Sequence, residues 1–297
     1  MQQTGIPYTL EDTFDTVLNA VAIEVDTKYV SRIKQISGVE SAVITTAYAE
    51  PKTIKTKASE EVVNVTSVYD TGIYKSGEYA TYGAGALVAV LDTGLDYTHS
   101  AFQKAPSTIT WDEQAVEDIF EDLSARGVQL NAEKRSGATA KDVYVSAKVP
   151  FAYDYADDDA DVYPSYSNHG THVAGIIGGC DTSYTDKDGE LIEEDFLGVV
   201  PDSQLVICKV FTDDLDDKDL GGAVAEDIVA ALEDCVLLGV DVINMSLGTS
   251  CGFSTTDDGD DEGEMLNAVY ENIILYFFRK VNFLLFTYYT CAASSPG

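Results

Sequence analysis

Positive charge is scarce in this chain of 297 residues: 18 lysines and arginines stand against 51 aspartates and glutamates, for a formal net charge of -33. A field of that sign repels nucleic acid and anionic lipid headgroups, so neither is expected as a partner. Cysteine is also sparse. The five, Cys180, Cys208, Cys235, Cys251 and Cys291, form no C-x-x-C pair and no Cys/His cluster, which argues against a zinc site. Several sit in apolar runs, as Cys208 does, and read as small core hydrophobes. No uninterrupted apolar run reaches membrane length, so no membrane span is expected; the closest, residues 273–286, is broken by Arg279-Lys280. The opening Met1-Gln2-Gln3-Thr4-Gly5 lacks a basic region followed by an apolar run, so no signal peptide is visible. That fits a cytosolic chain or one whose export signal lies outside this sequence. No Gly-rich phosphate loop opens a helix after a strand, which argues against a nucleotide-binding protein.

What is present is enough to fold. Hydrophobic residues make up 45% of the chain, and its length supports one large domain or two smaller ones. Residues 20–48 read as a small α+β unit: a strand at 20–25, an amphipathic helix at 27–36 with Val30, Ile33 and Ile36 on one face, a stop at Gly38, and a second strand at 39–46. Residues 47–59 read as a linker. From residue 87 the pattern changes. Near-continuous apolar runs at 87–91, 205–211 and 240–247 have the signature of parallel strands buried on both faces. A helix at 222–238, stopped by Gly239, links the last two, so βαβ units and a parallel sheet flanked by helices are expected. Residues 97–165 interrupt this as a long, Asp-rich polar stretch with a surface helix near 113–126. Its acidic turn at 154–161, and a second acidic loop at 181–195, could bind calcium as a structural ion. A solvated charged loop is the alternative, since EF-hand spacing is absent.

Two stretches carry chemistry. Val88-Ala89-Val90-Leu91-Asp92-Thr93-Gly94 is a buried strand ending on a carboxylate, at the rim where open α/β sheets bind ligands. Asn168-His169-Gly170-Thr171-His172-Val173-Ala174-Gly175 places a histidine where a loop becomes a helix. By itself that stretch is as well read as a buried helix start. Paired with a buried carboxylate, an imidazole is held in one tautomer and stabilised when protonated, which suits a general base.

These motifs, followed by Val242-Ile243-Asn244-Met245-Ser246-Leu247-Gly248, resemble in order the aspartate, histidine and substrate-strand motifs of the subtilases, the subtilisin-type (peptidase S8) serine endopeptidases. Lys148-Val149-Pro150-Phe151-Ala152-Tyr153-Asp154-Tyr155, Gly198-Val199-Val200-Pro201-Asp202 and the long insertion between Asp92 and His169 resemble the cell-envelope branch with lactocepins and C5a peptidases. The similarity runs from about residue 60 to 270, and residues 20–48 resemble the end of an inhibitory propeptide. The resemblance implies a subtilisin-like α/β fold preceded by a small α+β unit. It implies extended polypeptides as substrates, no required cofactor, and a secreted or cell-envelope location. It makes Asp92 the orienting carboxylate, His169 the general base, and Ser246, Leu247 and Gly248 a strand that pairs with substrate backbone; Leu247 as plain core is the alternative. His172 reads as a packed helix residue without a triad role.

The departures are as informative. The Gly-Thr-Ser-Met-Ala type motif of the nucleophile and the Ala-Ala-Gly-Asn type motif of the oxyanion hole do not occur. Ser250, in Gly248-Thr249-Ser250-Cys251-Gly252, follows the substrate strand directly and is read as a cleft residue rather than the nucleophile. Ser294 and Ser295 lie in a tail without the motif. A calcium-ligand aspartate of smaller subtilisins falls on Ala101. The expected organisation is a propeptide-like segment and linker at 1–50, the amino-terminal part of a catalytic domain at 51–272, and an atypical apolar tail at 273–297. The tail reads as a truncated or frame-shifted end with a missing carboxyl-terminal portion, or alternatively as an amphipathic end helix. The chain is therefore expected to be inactive alone; a non-catalytic peptide-binding fragment or pseudoenzyme is the alternative reading.

Overall fold

The computed structural model describes residues 5–44, 47–48, 82–181, 184–185, 191–192, 196–213 and 222–247. The tail, Ser250 and most of the stretch read as linker lie outside the described residues.

The chain starts with a hairpin, β1 (Thr9–Phe14) antiparallel to β2 (Ala20–Glu24). The helix expected at 27–36 is shorter. A 3-10 turn, Thr27–Tyr29, capped by the Asp26 side chain, runs into the single turn of α1 (Val30–Ile33), where only Ile33 is buried. Gly38 leaves it at φ +93. The strand expected at 39–46 is not formed through residue 44. The apolar run Ala42-Val43-Ile44 is there, but β2 pairs with β1 and residues 39–44 have no ladder partner among the described residues. β3 (Ala47–Tyr48) forms instead, inside the stretch read as linker.

β4 (Leu87–Asp92) is buried along its whole length. The insertion after it holds α2 (Glu113–Ala125), whose first turn is capped by Asp112 accepting from the Ala115 N–H at 2.8 Å. Two short helices follow, α3 (Asn131–Ser136) and α4 (Ala140–Val143). Then come β5 (Phe151–Asp154), α5 (His169–Gly178), and four two-residue strands: β6 (Cys180–Asp181), β7 (Tyr184–Thr185), β8 (Leu191–Ile192) and β9 (Phe196–Leu197). The chain continues through β10 (Gln204–Lys209), β11 (Ala223–Val224), α6 (Ala225–Leu238) and β12 (Val242–Met245). Gly239 ends α6 in the left-handed conformation, φ +80, which an L side chain adopts only under strain.

The central sheet is parallel, in the order β12-β4-β10-β5. β10, α6 and β12 form a crossover that straddles β4. Side chains of β4 alternate between two apolar layers, as a strand covered on both faces must. Leu87, Ala89 and Leu91 join α6 and the insertion helices; Val88 and Val90 join the layer that includes Ala174 of α5. β5, with its run Phe151-Ala152-Tyr153, is a fourth strand that periodicity alone did not separate from the polar insertion. Buried Cys208 and Cys235 pack in the core as free thiols, and Cys180 is also buried and free, in line with their reading as small hydrophobes.

The amino-terminal hairpin is tied to α6 by a buried carboxylate. Glu233 is fully buried, and its Oε1 accepts from the Thr16 and Val17 N–H groups at 2.8 and 3.0 Å. Asn131 Nδ2 donates to Oε2 at 3.3 Å. Glu233→Ala is expected to remove the acceptor shared by the Thr16 and Val17 N–H groups and loosen residues 9–24 first, at a cost of about 1–3 kcal/mol. Hydrogen exchange at Thr16 and Val17 should accelerate strongly in the variant while β4 and β10 stay protected. Uniform acceleration across the sheet would show that Glu233 supports the whole core instead.

Candidate active site

Asp92 ends the central strand and His169 begins α5, so the sheet rim and a helix start meet at these two side chains. His169 Nδ1 lies 2.7 Å from Asp92 Oδ1. Asp92 is 1% exposed and His169 20%, so the carboxylate is sealed while the ring edge reaches solvent. The same Oδ1 accepts from the Thr93 N–H at 2.8 Å, and Oδ2 is buried without a partner among the described residues. A carboxylate beside Nδ1 favours the tautomer that carries its proton there, which makes Nε2 the basic nitrogen of the ring.

Local sequence explains the approach. Thr93 Oγ1 donates to the Ser167 carbonyl at 3.0 Å and accepts from the Gly170 N–H at 2.9 Å, which knots the Asp and His motifs together. Ser167 Oγ accepts from the His169 N–H at 3.2 Å, and Thr171 Oγ1 accepts from the Asp96 N–H at 2.8 Å. Gly94 turns at φ +100, where its own β-carbon would overlap the Val162 carbonyl oxygen. A β-carbon on Gly170 would overlap the Gly94 carbonyl oxygen. The glycines of both motifs therefore mark one backbone crossing.

Ser246 stands one residue past Met245, which pairs with Leu91, so it leaves the sheet beside Asp92. Its Oγ donates to Asn244 Oδ1 at 3.0 Å. The Leu247 side chain is buried in the core layer shared with α6. For the side chain this fits the alternative of Leu247 as plain core, while the backbone continues from β12, an edge strand of the described sheet. Gly248 lies outside the described residues. His172 is exposed on α5, not packed as expected: one residue past Thr171, it falls on the outward face of the helix.

β11 is a further element that the sequence did not show. β11 pairs antiparallel with β3, Ala223 opposite Tyr48 and Val224 opposite Ala47. An extended piece of the chain thus lies along a short strand at the entry to α6. The only signal was Gly221-Gly222 before the helix, which marked where a helix starting at 222 would have to be delayed.

The acidic turn at 154–161 is organised by cations of the protein. Lys209 pairs with Asp154, with Asp157 at 3.1 Å and with Asp213 at 3.3 Å, and Arg135 reaches Asp158 at 3.2 Å. Asp154 is buried, which corrects the expectation of a solvated loop at that residue. Among the described residues no three His, Cys, Asp or Glu side chains group to hold a metal ion. No described helix is long and apolar enough to cross a membrane.

A parallel α/β sheet whose central strand ends on a carboxylate bonded to a helix-opening imidazole defines a protein with an acid–base pair at its sheet rim. The chain belongs to the Subtilase family, whose sequence model matches residues 83–281. That match extends beyond residue 273, where the sequence reading placed the start of the tail. It is 29% identical over 252 residues to a PII-type proteinase of Lacticaseibacillus paracasei, covering 84% of this chain and 11% of the relative. It is 34% identical over 174 residues to a C5a peptidase of Streptococcus pyogenes, covering 58% of this chain and 13% of that protein. The chain therefore spans about a tenth of the length of these relatives. In fold it is similar to a mutant of the Epidermin Leader Peptide Processing Serine Protease (EpiP) from Staphylococcus aureus. The TM-score is 0.52 at 13% identity, over 96% of this chain and 56% of that one.

Proposed function

We propose that this chain carries the amino-terminal part of a subtilisin-type serine endopeptidase domain, acting on extended polypeptides outside the cell. The observation that carries the reading is the 2.7 Å contact between His169 Nδ1 and the sealed Asp92 carboxylate. In this reading His169 Nε2 takes the proton of a serine hydroxyl as it attacks the scissile carbonyl, then returns it to the leaving amine. Asp92 holds the ring and stabilises the imidazolium. Ser246 to Gly248 offer main-chain hydrogen bonds to an extended substrate, and the chemistry needs no cofactor. Residues 1–50 act as a propeptide-like unit ahead of a catalytic part at 51–272.

Because the sequence contains no Gly-Thr-Ser-Met-Ala type motif, we infer that the chain alone does not hydrolyse peptides. Loss of a nucleophile lowers turnover by many orders of magnitude. Purified chain is expected to show neither fluorescent-casein hydrolysis nor fluorophosphonate labelling; labelling at Ser250 would overturn this inference and identify that serine as the nucleophile.

A second reading, a peptide-binding fragment, is favoured by the β3–β11 pairing, in which a short strand already holds an extended segment. It predicts peptide binding that survives His169→Ala. Absence of binding by any extended peptide at high concentration would sink it.

A further inference from the structure

We propose that Lys209 is a positioning residue for the His169–Asp92 pair, acting through Asp213 on the loop that delivers His169 and through its own stem beneath Gly94 on the segment that follows Asp92. The inference rests on reading the pair as a catalytic dyad.

The strand register puts Lys209 directly opposite Asp92 in the β10–β4 ladder. Its side chain is 1% exposed, which is unusual for a lysine and requires paired charge. The stem runs under the Gly94 turn, where a β-carbon would sit 3.0 Å from Lys209 Cδ. The Val162 carbonyl oxygen, which that β-carbon would overlap, leaves room for glycine alone where the chain bends away from Asp92, and the Lys209 stem packs against the same turn. Beyond that turn, the Leu95 N–H donates to the Val162 carbonyl at 2.9 Å and closes the crossing.

The ammonium end reaches the other partner. It meets Asp154, Asp157 and Asp213, and each carboxylate holds backbone in place. Asp154 Oδ1 accepts from the Ala156 and Asp157 N–H groups at 2.9 and 3.1 Å. Asp157 accepts from the Thr212 hydroxyl at 2.6 Å and the Asp213 N–H at 3.3 Å. Asp213 in turn accepts from the Ser165 N–H at 3.3 Å and the Tyr166 N–H at 3.2 Å. The next residue, Ser167, bonds both Thr93 and the His169 N–H. An unbroken path thus runs from Lys209 through Asp213 and residues 165–167 to His169. Burial pulls the Lys209 ammonium down, but Asp154 and Asp157 outweigh it and push it above its ordinary value, so the cation is permanent at working pH. Asp154, Asp157 and Asp213 are the carboxylates that face it, from the acidic turn and from the loop after β10. A catalytic pair needs its geometry held by neighbours whose own conformations are locked, and one buried cation here touches the supports of both members.

The test uses the full chain with nitrogen-15-labelled histidine and needs no turnover. The Nδ1 proton of His169, hydrogen-bonded to Asp92, should appear as a low-field resonance protected from exchange, and Asp92→Asn should abolish it. If Asp92→Asn leaves it unchanged, the dyad reading fails, whatever Lys209 does. Asp213→Ala removes the link to residues 165–166 while sparing the Lys209–Asp154 pair, at a side chain already 23% exposed. It is expected to keep native amide dispersion but to raise exchange of that proton roughly tenfold, the loss of about one hydrogen bond's worth of restraint. Asp213→Asn loses the same charge but keeps an acceptor, and should restore most of the protection. Lys209→Met should show the larger effect if it folds. Unchanged His169 resonances in Asp213→Ala, identical behaviour of the alanine and asparagine variants, or global unfolding of Asp213→Ala would each overturn the proposal.

Discussion

Gly170→Ala is expected to destabilise the chain by at least about 3 kcal/mol and to break the Asp92–His169 contact, while Gly175→Ala, five residues along the same helix, is expected to be neutral or mildly stabilising. The contrast follows from what each new β-carbon would meet. At Gly170 it would overlap the Gly94 carbonyl oxygen and lie 3.0 Å from the Gly94 nitrogen and 3.1 Å from Asp92 Cβ. Those are backbone and near-backbone atoms, which cannot rotate away. Gly94 cannot retreat either, because it is held at φ +100 against the Val162 carbonyl and the Lys209 stem. The remaining relief is for the start of α5 to lift off β4. That would pull on the Gly170 N–H to Thr93 Oγ1 bond at 2.9 Å and on the 2.7 Å His169–Asp92 contact together. At Gly175 the nearest atoms are the edge of the Phe196 ring at 3.8 and 3.9 Å, an ordinary contact, so the helix gains alanine's propensity without a clash. Urea denaturation of both variants decides it. Equal stability of the two would show that the crossing yields more easily than its geometry implies.

The same crossing explains how much of this molecule could be read from residues. Asp92 and His169 were legible because local chemistry specifies them: a strand apolar at every position down to a terminal carboxylate, and a histidine set among small residues at a helix start. The glycines beside them were equally legible as marks of close approach, though not which backbones approach. β4, β10, α6 and β12 followed from apolar runs and one helical period. What stayed hidden depends on contacts distant in sequence. Residues 39–44 end in the apolar run Ala42-Val43-Ile44 and read as a strand, but find no described partner. Ala47–Tyr48 looks like linker and forms a strand only because Ala223–Val224 lies across from it. Leu247 continues an edge strand, yet its side chain turns into the core. The acidic turn read as solvent-facing because the cations that fill it, Lys209 and Arg135, come from 55 and 23 residues away.

Arg135→Met should be the most damaging single change outside the site, by about 3–5 kcal/mol at pH 8, because it strands buried carboxylates. Arg135 sits in α3 with its side chain 9% exposed. Nη1 donates to the Tyr155 carbonyl at 2.6 Å, Asp227 Oδ1 at 2.8 Å and Asp158 Oδ1 at 3.2 Å, and Nη2 donates to Asp12 of β1. One cation therefore joins the hairpin, the acidic turn and α6, and a lysine, with one compact ammonium, cannot reproduce the fork. The cluster carries three carboxylates for that one charge, so its energetics depend on pH. Burial pushes Asp227 up to about 7, against the pull of Arg135, from an ordinary value of 3.8. A folded state that binds the proton more tightly than the unfolded state is favoured when that proton is present. Asp227 thus contributes most below about pH 4, and its contribution is lost as pH rises toward 7. Removing Arg135 leaves Asp12, Asp158 and Asp227 without their cation, so the penalty should grow from pH 5 to pH 8. Comparing variant with parent at each pH cancels the general repulsion of a chain with net charge -33. Urea midpoints at pH 5 and pH 8 for both proteins give the four numbers needed. A penalty equal at the two pH values, or below about 1 kcal/mol at both, would mean that solvent rather than Arg135 neutralises this cluster.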